Sequence, residues 1–311
     1  MRRQFLRSAC AALGLILAAC SSSSSNGSTP PTGDSTTPST ESSVTQPVTV
    51  PDTVTPSSGP PTSGPVVTDP VTTEPAATES VRVYLLVGER LQVFGRAVAS
   101  SSPAEAVRAL LAGPTATEAA AGAVTLIPDG TRLNGVVVDG HEATVDLSGE
   151  FGTGGGSLSV MGRVAEVVYT VTQFDGIDTV RFAIDGTVVT ELTGEGFGVD
   201  RVQRLDVTDL VPFILMETPW AGATVAQPIT VSGMSNTFEA QVNYELLSPS
   251  GAVLVEGWFM ATSGTGTWGT FAATLDPLPA GTTGDVTVRL FEVSPEDGAH
   301  ISVTEAVVHL A

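Results

Sequence analysis

The spacing of hydrophobic positions divides this chain into successive stretches of different kinds. Residues 9–19 form an apolar run of 11, and residues 21–80 show no apolar period. Between 81 and 200, strand-like runs alternate with helical spacing. From Phe213 onward only short strand-like runs occur, with turn residues every 8–12 positions. The strongest signal lies within 142–186. Val160, Val164, Val167, Val168, Val171 and Phe174 recur at helical spacing, so one face of this segment is apolar. A strand precedes the helix and another follows it. Such a helix buries its stripe by lying on the sheet to which those strands belong.

Around this helix the remaining elements fall into place. Val81–Val87 reads as a strand, and Leu91–Val98 follows a Gly-Glu-Arg turn. Ser102-Pro103-Ala104-Glu105 has the chemistry of a helix start: Ser as N-cap, Pro in the first turn, Glu three residues after the cap. Val107, Leu110 and Leu111 supply that helix's apolar face, and Gly113-Pro114 ends it. After Ile127-Pro128-Asp129-Gly130 comes a hairpin, Leu133–Val138 and Ala143–Leu147, closed by Asp139-Gly140. The loop 149–156 leads into the long helix, and the strand 178–184 ends at Asp185-Gly186. Residues 81–200 are thus expected to form an α+β domain, a mixed sheet with about two helices.

Past a connection at 201–212, strands are expected at Val225–Val231, Ala240–Leu246, Val253–Met260, Gly269–Leu275, Val286–Phe291 and Ile301–Leu310. No helical period interrupts them. Residues 211–311 are therefore expected to form an all-β, immunoglobulin-like sandwich of about seven strands. Both cysteines, Cys10 and Cys20, precede the domains, so neither core contains a disulfide, a catalytic thiol or a cysteine metal site.

The amino end carries address and anchor. Arg2, Arg3 and Arg7 give a positive start, and the apolar run is too short to span a bilayer. It ends in Leu17-Ala18-Ala19-Cys20, which resembles a bacterial lipobox. Residues 1–19 then form a lipoprotein signal peptide, and Cys20 takes the lipid. Several acyl chains bury enough methylenes for stable anchoring, at about 0.8 kcal/mol each. The expected location is the cell membrane, on its extracytoplasmic face. Arg2-Arg3-Gln4-Phe5-Leu6-Arg7 also resembles a twin-arginine export signal. A chain with 13 Arg and no Lys begins with Arg in any case, so both export routes stay open. In residues 21–80, Ser, Thr, Pro and Gly make up 43 of 60 positions, with no aromatic and no basic residue. Too little apolar surface is present to offset the entropy of ordering, so 20–80 is expected to be a disordered tether, with a reach of about 40 Å.

Composition then removes classes of partner. Beyond residue 19 only 10 Arg face 33 acidic residues. A chain this acidic is repelled by nucleic acid and by anionic headgroups. The Arg-only, Ala/Gly/Val/Thr-rich composition also fits a GC-rich bacterial genome.

Several blocks carry a family resemblance. Leu110–Pro114, Ile127–Thr131, Ala143–Ser148, Val168–Phe174 and Val180–Gly186 occur in that order, and together they resemble the sporulation and spore germination domain called GerMN. Pro228–Gly233, Phe238–Ala240 and Leu290–Ser294 with Asp297-Gly298 resemble the immunoglobulin-like domain of bacterial spore germination, of Gmad type. The order matches the family's layout. The resemblance implies a secreted or lipid-anchored bacterial protein and carries over no catalytic residue.

Candidate chemistry is sparse. His141, His300 and His309 have no zinc-ligand spacing. Gly155-Gly156-Ser157-Leu158-Ser159 lacks the last Gly of a nucleophile elbow. Gly152–Ser157 before a helix reads first as an adaptable connection; its backbone N–H groups could also cradle an anion, but no Lys follows as in a Walker loop. Asp146 with Glu150 is the pair a wall hydrolase would use. Asp175, Asp178 and Asp185, or Glu296 and Asp297, are the acidic candidates for calcium, without an EF-hand loop. Trp220, Trp258 and Trp268 offer either core packing or stacking on sugar. The expectation is a non-enzymatic, lipid-anchored envelope protein with no cofactor and no metal, docking to an envelope protein partner. The alternative is a peptidoglycan or wall-glycan binding module, and after it a wall hydrolase.

Overall fold

In the computed structural model, which describes residues 79–192 and 196–311, the strand–helix–strand unit around Val160 sits at the centre of the first domain. The signal peptide, Arg2 and Arg3, the lipid-attachment residue Cys20 and the tether up to residue 78 lie outside the described residues.

Strands β1 (Glu79–Val87) and β2 (Arg90–Val98) form a hairpin. Helix α1 (Pro103–Leu111) begins as the sequence dictates, with Ser102 Oγ accepting from the Glu105 N–H at 3.3 Å. A short helix not anticipated from the sequence follows, α2 (Ala116–Ala120). Its start is a reciprocal cap: Thr115 Oγ1 accepts from the Glu118 N–H, and the Glu118 carboxylate accepts from the Thr115 N–H. Glu118 also pairs with Arg96 of β2, which ties the helix to the sheet. Strand β3 (Ala123–Val124) then adds to the free side of β1.

The second sheet has the order β4 (Leu133–Asp139), β5 (Glu142–Leu147), β6 (Thr179–Ile184), β7 (Thr187–Val189). β5 and β6 run parallel, joined through α3 (Ser157–Val171). A small pair, β8 (Glu191–Leu192) and β9 (Phe197–Gly198), follows.

The sequence expected α3 to bury one stripe against its flanking strands. The structure buries every residue from Gly162 to Val171. α3 packs chiefly against α1 and β1, and at fewer places against β6. The other sheet thus covers a face that a single-sheet arrangement would leave in water. Phe174 lies beyond the helix end and packs onto the core from the following turn.

The second domain is a sandwich of a three-stranded and a five-stranded sheet. The first has the order β10 (Ile214–Thr218), β12 (Thr230–Ser235), β15 (Gly269–Thr274). The second has the order β11 (Thr224–Val225), β17 (His300–Leu310), β16 (Asp285–Val293), β13 (Gln241–Leu247), β14 (Val253–Met260). The single strand expected at 225–231 is two short ones, because Pro228 between them has no N–H for a ladder. β10 escaped the reading because both its faces are buried, which erases the alternation. Ile214 and Met216 enter the sandwich core, while Leu215 enters the core of the first domain.

Candidate functional site

The glycine loop serves as a connection, the first of the two roles its sequence offers. Gly154 and Gly155 adopt positive φ, 63° and 83°, which bends the loop back over α3. Its carbonyls, not its N–H groups, then face the helix. Arg163 donates Nη1 to the Phe151 carbonyl at 2.7 Å and to the Thr153 carbonyl at 2.8 Å, and Nη2 to that of Gly154. The loop wraps a buried cation, so it is a scaffold device and not an anion cradle. Burial pushes the Arg163 guanidinium below the usual arginine range.

The other candidates are each engaged separately. Asp146 Oδ1 accepts from the Gly186 N–H at 3.0 Å and from Asn134 at 3.3 Å. Glu150 accepts from the Ser148 hydroxyl at 2.5 Å and sits 3.6 Å from Arg132. The two carboxylates are thus held by different neighbours. His141 pairs with Asp178 at 3.3 Å, His309 with Asp285 at 3.0 Å, and His300 stacks on Phe291 with ring centroids 3.7 Å apart. Ser157 stands exposed at the first position of α3. Asp297 accepts from the Ala299 N–H and closes a turn. Among the described residues no three His, Cys, Asp or Glu side chains gather as metal ligands. No described helix is long and apolar enough to cross a membrane.

What the structure does concentrate is largely buried polar chemistry where the domains meet. Arg204 lies in a 3₁₀ turn, Arg204–Val207, within the connection. Its guanidinium is 4.8 Å from the ring centre of Tyr169 on α3 and 5.9 Å from that of Tyr84 on β1. It donates Nε to Thr172 Oγ1 at 2.6 Å and pairs through Nη1 with Glu217 of β10 at 2.7 Å. Tyr84 donates its hydroxyl to the same carboxylate. Burial raises the Tyr84 hydroxyl far above its ordinary pKa, and the Glu217 charge adds to this. Burial also opposes the Arg204 charge, but Tyr84 and Glu217 outweigh it and hold that group above the usual arginine value. One carboxylate from the second domain therefore neutralises a cation seated on two aromatic rings of the first.

Around this network the fit is close. The Trp220 indole packs directly against Gly95 of β2, where any Cβ would occupy the ring's own position. The connection is stitched down as well: the Leu91 N–H donates to the Leu210 carbonyl at 2.8 Å, and Arg90 to that of Asp209 at 2.7 Å. Beside it, Leu205, Met234 and Trp268 line a mainly apolar recess of about 250 Å³ with Arg204 and Glu217 at its side. Of the three tryptophans, Trp220 and Trp268 pack against the first domain's core, while Trp258 stands on the outer face of the sandwich. A second recess, of about 240 Å³, lies where the blocks Leu110–Pro114 and Ile127–Thr131 converge. Sequence reasoning missed the junction: Tyr84, Tyr169, Arg204 and Glu217 belong to separate elements and share no spacing.

An α+β domain locked to an immunoglobulin-like sandwich defines a two-domain class of protein. Residues 74–190 match the family model described as sporulation and spore germination (Germane), and residues 213–299 match the immunoglobulin-like domain of bacterial spore germination (Gmad2). The chain carries these two domains in that order. Among solved structures it is similar to the tandem GerMN domains of the sporulation protein GerM from Bacillus subtilis, at 18% identity and a TM-score of 0.36. That likeness covers 64% of this chain and 62% of the other, so the chain spans less than two thirds of that structure. The first GerMN domain of the same protein is similar at 25% identity and a TM-score of 0.34, covering 42% of this chain and 100% of that one. A comparison with curated proteins gave no match.

Proposed function

We propose that this chain is a non-enzymatic, lipid-anchored envelope protein, whose two domains act together as a docking module for another envelope protein in sporulation or germination-related assembly. Cys20 would hold it at the extracytoplasmic face, residues 21–78 would set its reach, and the domains would recognise the partner. The observation that carries this reading is the junction. A Glu217 carboxylate shared by Arg204 and Tyr84 and an indole seated on Gly95 keep the two matched domains in one arrangement. A module that presents a composite surface needs such fixity, because preorganisation lowers the cost of binding.

In-cell photo-crosslinking of the full chain, followed by identification of the attached proteins, tests it. A small set of envelope proteins crosslinked above background is expected; none above background overturns the reading. Replacement of Cys20 by Ala should move the chain from the membrane fraction to the soluble one, and unchanged fractionation would remove the lipid anchor. The alternative, wall-glycan binding, is favoured by the exposed indole of Trp258 beside Asn243. Retention of the full chain on isolated wall, lost on Trp258→Ala, is the result that would favour it.

A further inference from the structure

We propose that β14 is a docking edge: it takes up an extended segment of a basic partner protein as a sixth strand of the five-stranded sheet, with an Arg or Lys of that segment set opposite Glu256. The inference rests on the interaction reading above and assigns it a place and a partner chemistry.

β14 is the last strand of its sheet. It pairs with β13 on one side, and no described strand lies on the other. Edge strands normally carry protection, such as shortness, Pro, Lys or a bulge that twists them away. β14 is 8 residues long, reads Val-Leu-Val-Glu-Gly-Trp-Phe-Met, and has neither Pro nor a cation; its one irregularity, at Leu254, lies near its start and leaves Val255–Met260 in regular register. The opposite edge of the same sheet, β11, is only 2 residues long. An open row of N–H and C=O groups of this length is a template for strand addition.

The cross-strand register shows which strand it fits. Glu305 lies opposite Arg289, Arg289 opposite Glu245, and Glu245 opposite Glu256. Arg289 holds Glu245 at 2.8 Å and Glu305 at 2.5 Å, so its guanidinium is committed. The row of charges therefore runs negative, positive, negative, negative, and it stops at the open edge. Like charges directly opposite each other destabilise a sheet, and among the described residues no cation pairs with Glu256. The position that an added strand would place opposite Glu256 is the one that completes the row with a positive charge. On the same face, at alternate positions, stand Trp258 and Met260, 62% and 54% exposed. The matching strand thus carries a basic residue followed at every second position by apolar or aromatic ones.

Charge also decides between occupants. Residues 211–311 hold ten acidic residues against a single Arg, Arg289, so this domain attracts a basic chain from a distance. Residues 21–80 of this chain contain no Arg or Lys and cannot complete the row. A second copy of β14 would bring another Glu256 and no cation.

The test uses the full chain and two capped eight-residue peptides of alternating Thr and Val, one with a central Arg and the other with a central Glu. Binding is read by Trp emission and by hydrogen-exchange protection of Val253–Met260. The Arg peptide should bind at least tenfold more tightly than the Glu peptide, protect that strand, and lose its advantage as salt is raised. Glu256→Arg, an exposed substitution that also sets a cation opposite Glu245, should reverse the preference without lowering the melting temperature. Absence of protection by either peptide, a preference that survives Glu256→Arg, dimerisation of the free chain through this edge, or wall-glycan retention through Trp258 without peptide protection would each overturn the proposal. Crosslinked partners in the cell combined with unprotected β14 would sink this site alone; no partners at all would sink the reading beneath it.

Discussion

Arg163 and Glu166 stand one turn apart on α3, both fully buried, and each hydrogen-bonds a different loop, with the Arg163 Nε left without a partner. Arg163 gathers the carbonyls of the glycine loop. Glu166 accepts from the Thr125 hydroxyl at 2.5 Å and the Leu126 N–H at 2.7 Å. Replacing Arg163 by Met keeps the apolar stem but leaves three carbonyls without their donor, at a cost of about 3 kcal/mol. Urea unfolding should show this loss, with hydrogen exchange accelerated first in residues 149–156. Glu166 responds to pH. Burial raises its pKa to about 8, and its two hydrogen bonds oppose that shift without cancelling it. Its pKa is thus above that of the unfolded chain. The stability it contributes is complete below the ordinary carboxylate range and is lost as pH rises through about 8. The stability difference between wild type and Glu166→Gln should therefore shift against the wild type between about pH 5 and pH 9, by on the order of 3 kcal/mol. A pH-independent difference in urea titrations would contradict the buried acid.

At the scale of elements, what could be read in the sequence was whatever one face or one cap decides. The α1 start was legible because Ser102, Pro103 and Glu105 are a local chemical signal. β13, β14 and the hairpin of β4 and β5 were legible through alternation and turn residues. α2 was overlooked although Thr115 and Glu118 form a capping box, since a five-residue helix has no room for an apolar period. β10 was hidden because its two faces serve two cores. The glycine loop was legible as a connection, but its hold on Arg163 was not. Gly152–Ser157 before a helix suits an anion, and only the fold brings the Arg163 side chain beneath it. Removing the α2 cap tests how far such local signals carry. Thr115→Ala should cost about 1 kcal/mol. Glu118→Ala should cost more than Thr115→Ala, because it also releases Arg96, whose side chain is largely buried. Equal losses in thermal melts would mean that the ion pair contributes nothing to the fold.

At the scale of the whole molecule, the junction decides whether the protein behaves as one body or two. Interfaces between domains of one chain are commonly loose, and relative motion is the default. Here a largely buried cation, two tyrosines and one carboxylate meet at the boundary, and removing the carboxylate leaves a charge mostly shielded from water with only Thr172 and the Tyr169 carbonyl as partners, at a cost of about 2–3 kcal/mol. Glu217→Ala removes the only acidic residue that ion-pairs with Arg204 among the described residues. Gly95→Ala acts on the same boundary by sterics alone, since its new methyl group takes the space of the Trp220 ring. The two substitutions differ in chemistry and lie on opposite sides of the boundary, so a shared outcome points to the junction itself. Each should turn a single cooperative unfolding transition into two, the first domain and the sandwich melting separately. Gly95→Ala should in addition shift Trp emission to the red as Trp220 meets water. Should both variants still unfold in one transition at the wild-type temperature, the domains are held by something other than this network, and the fixed composite surface loses its physical basis.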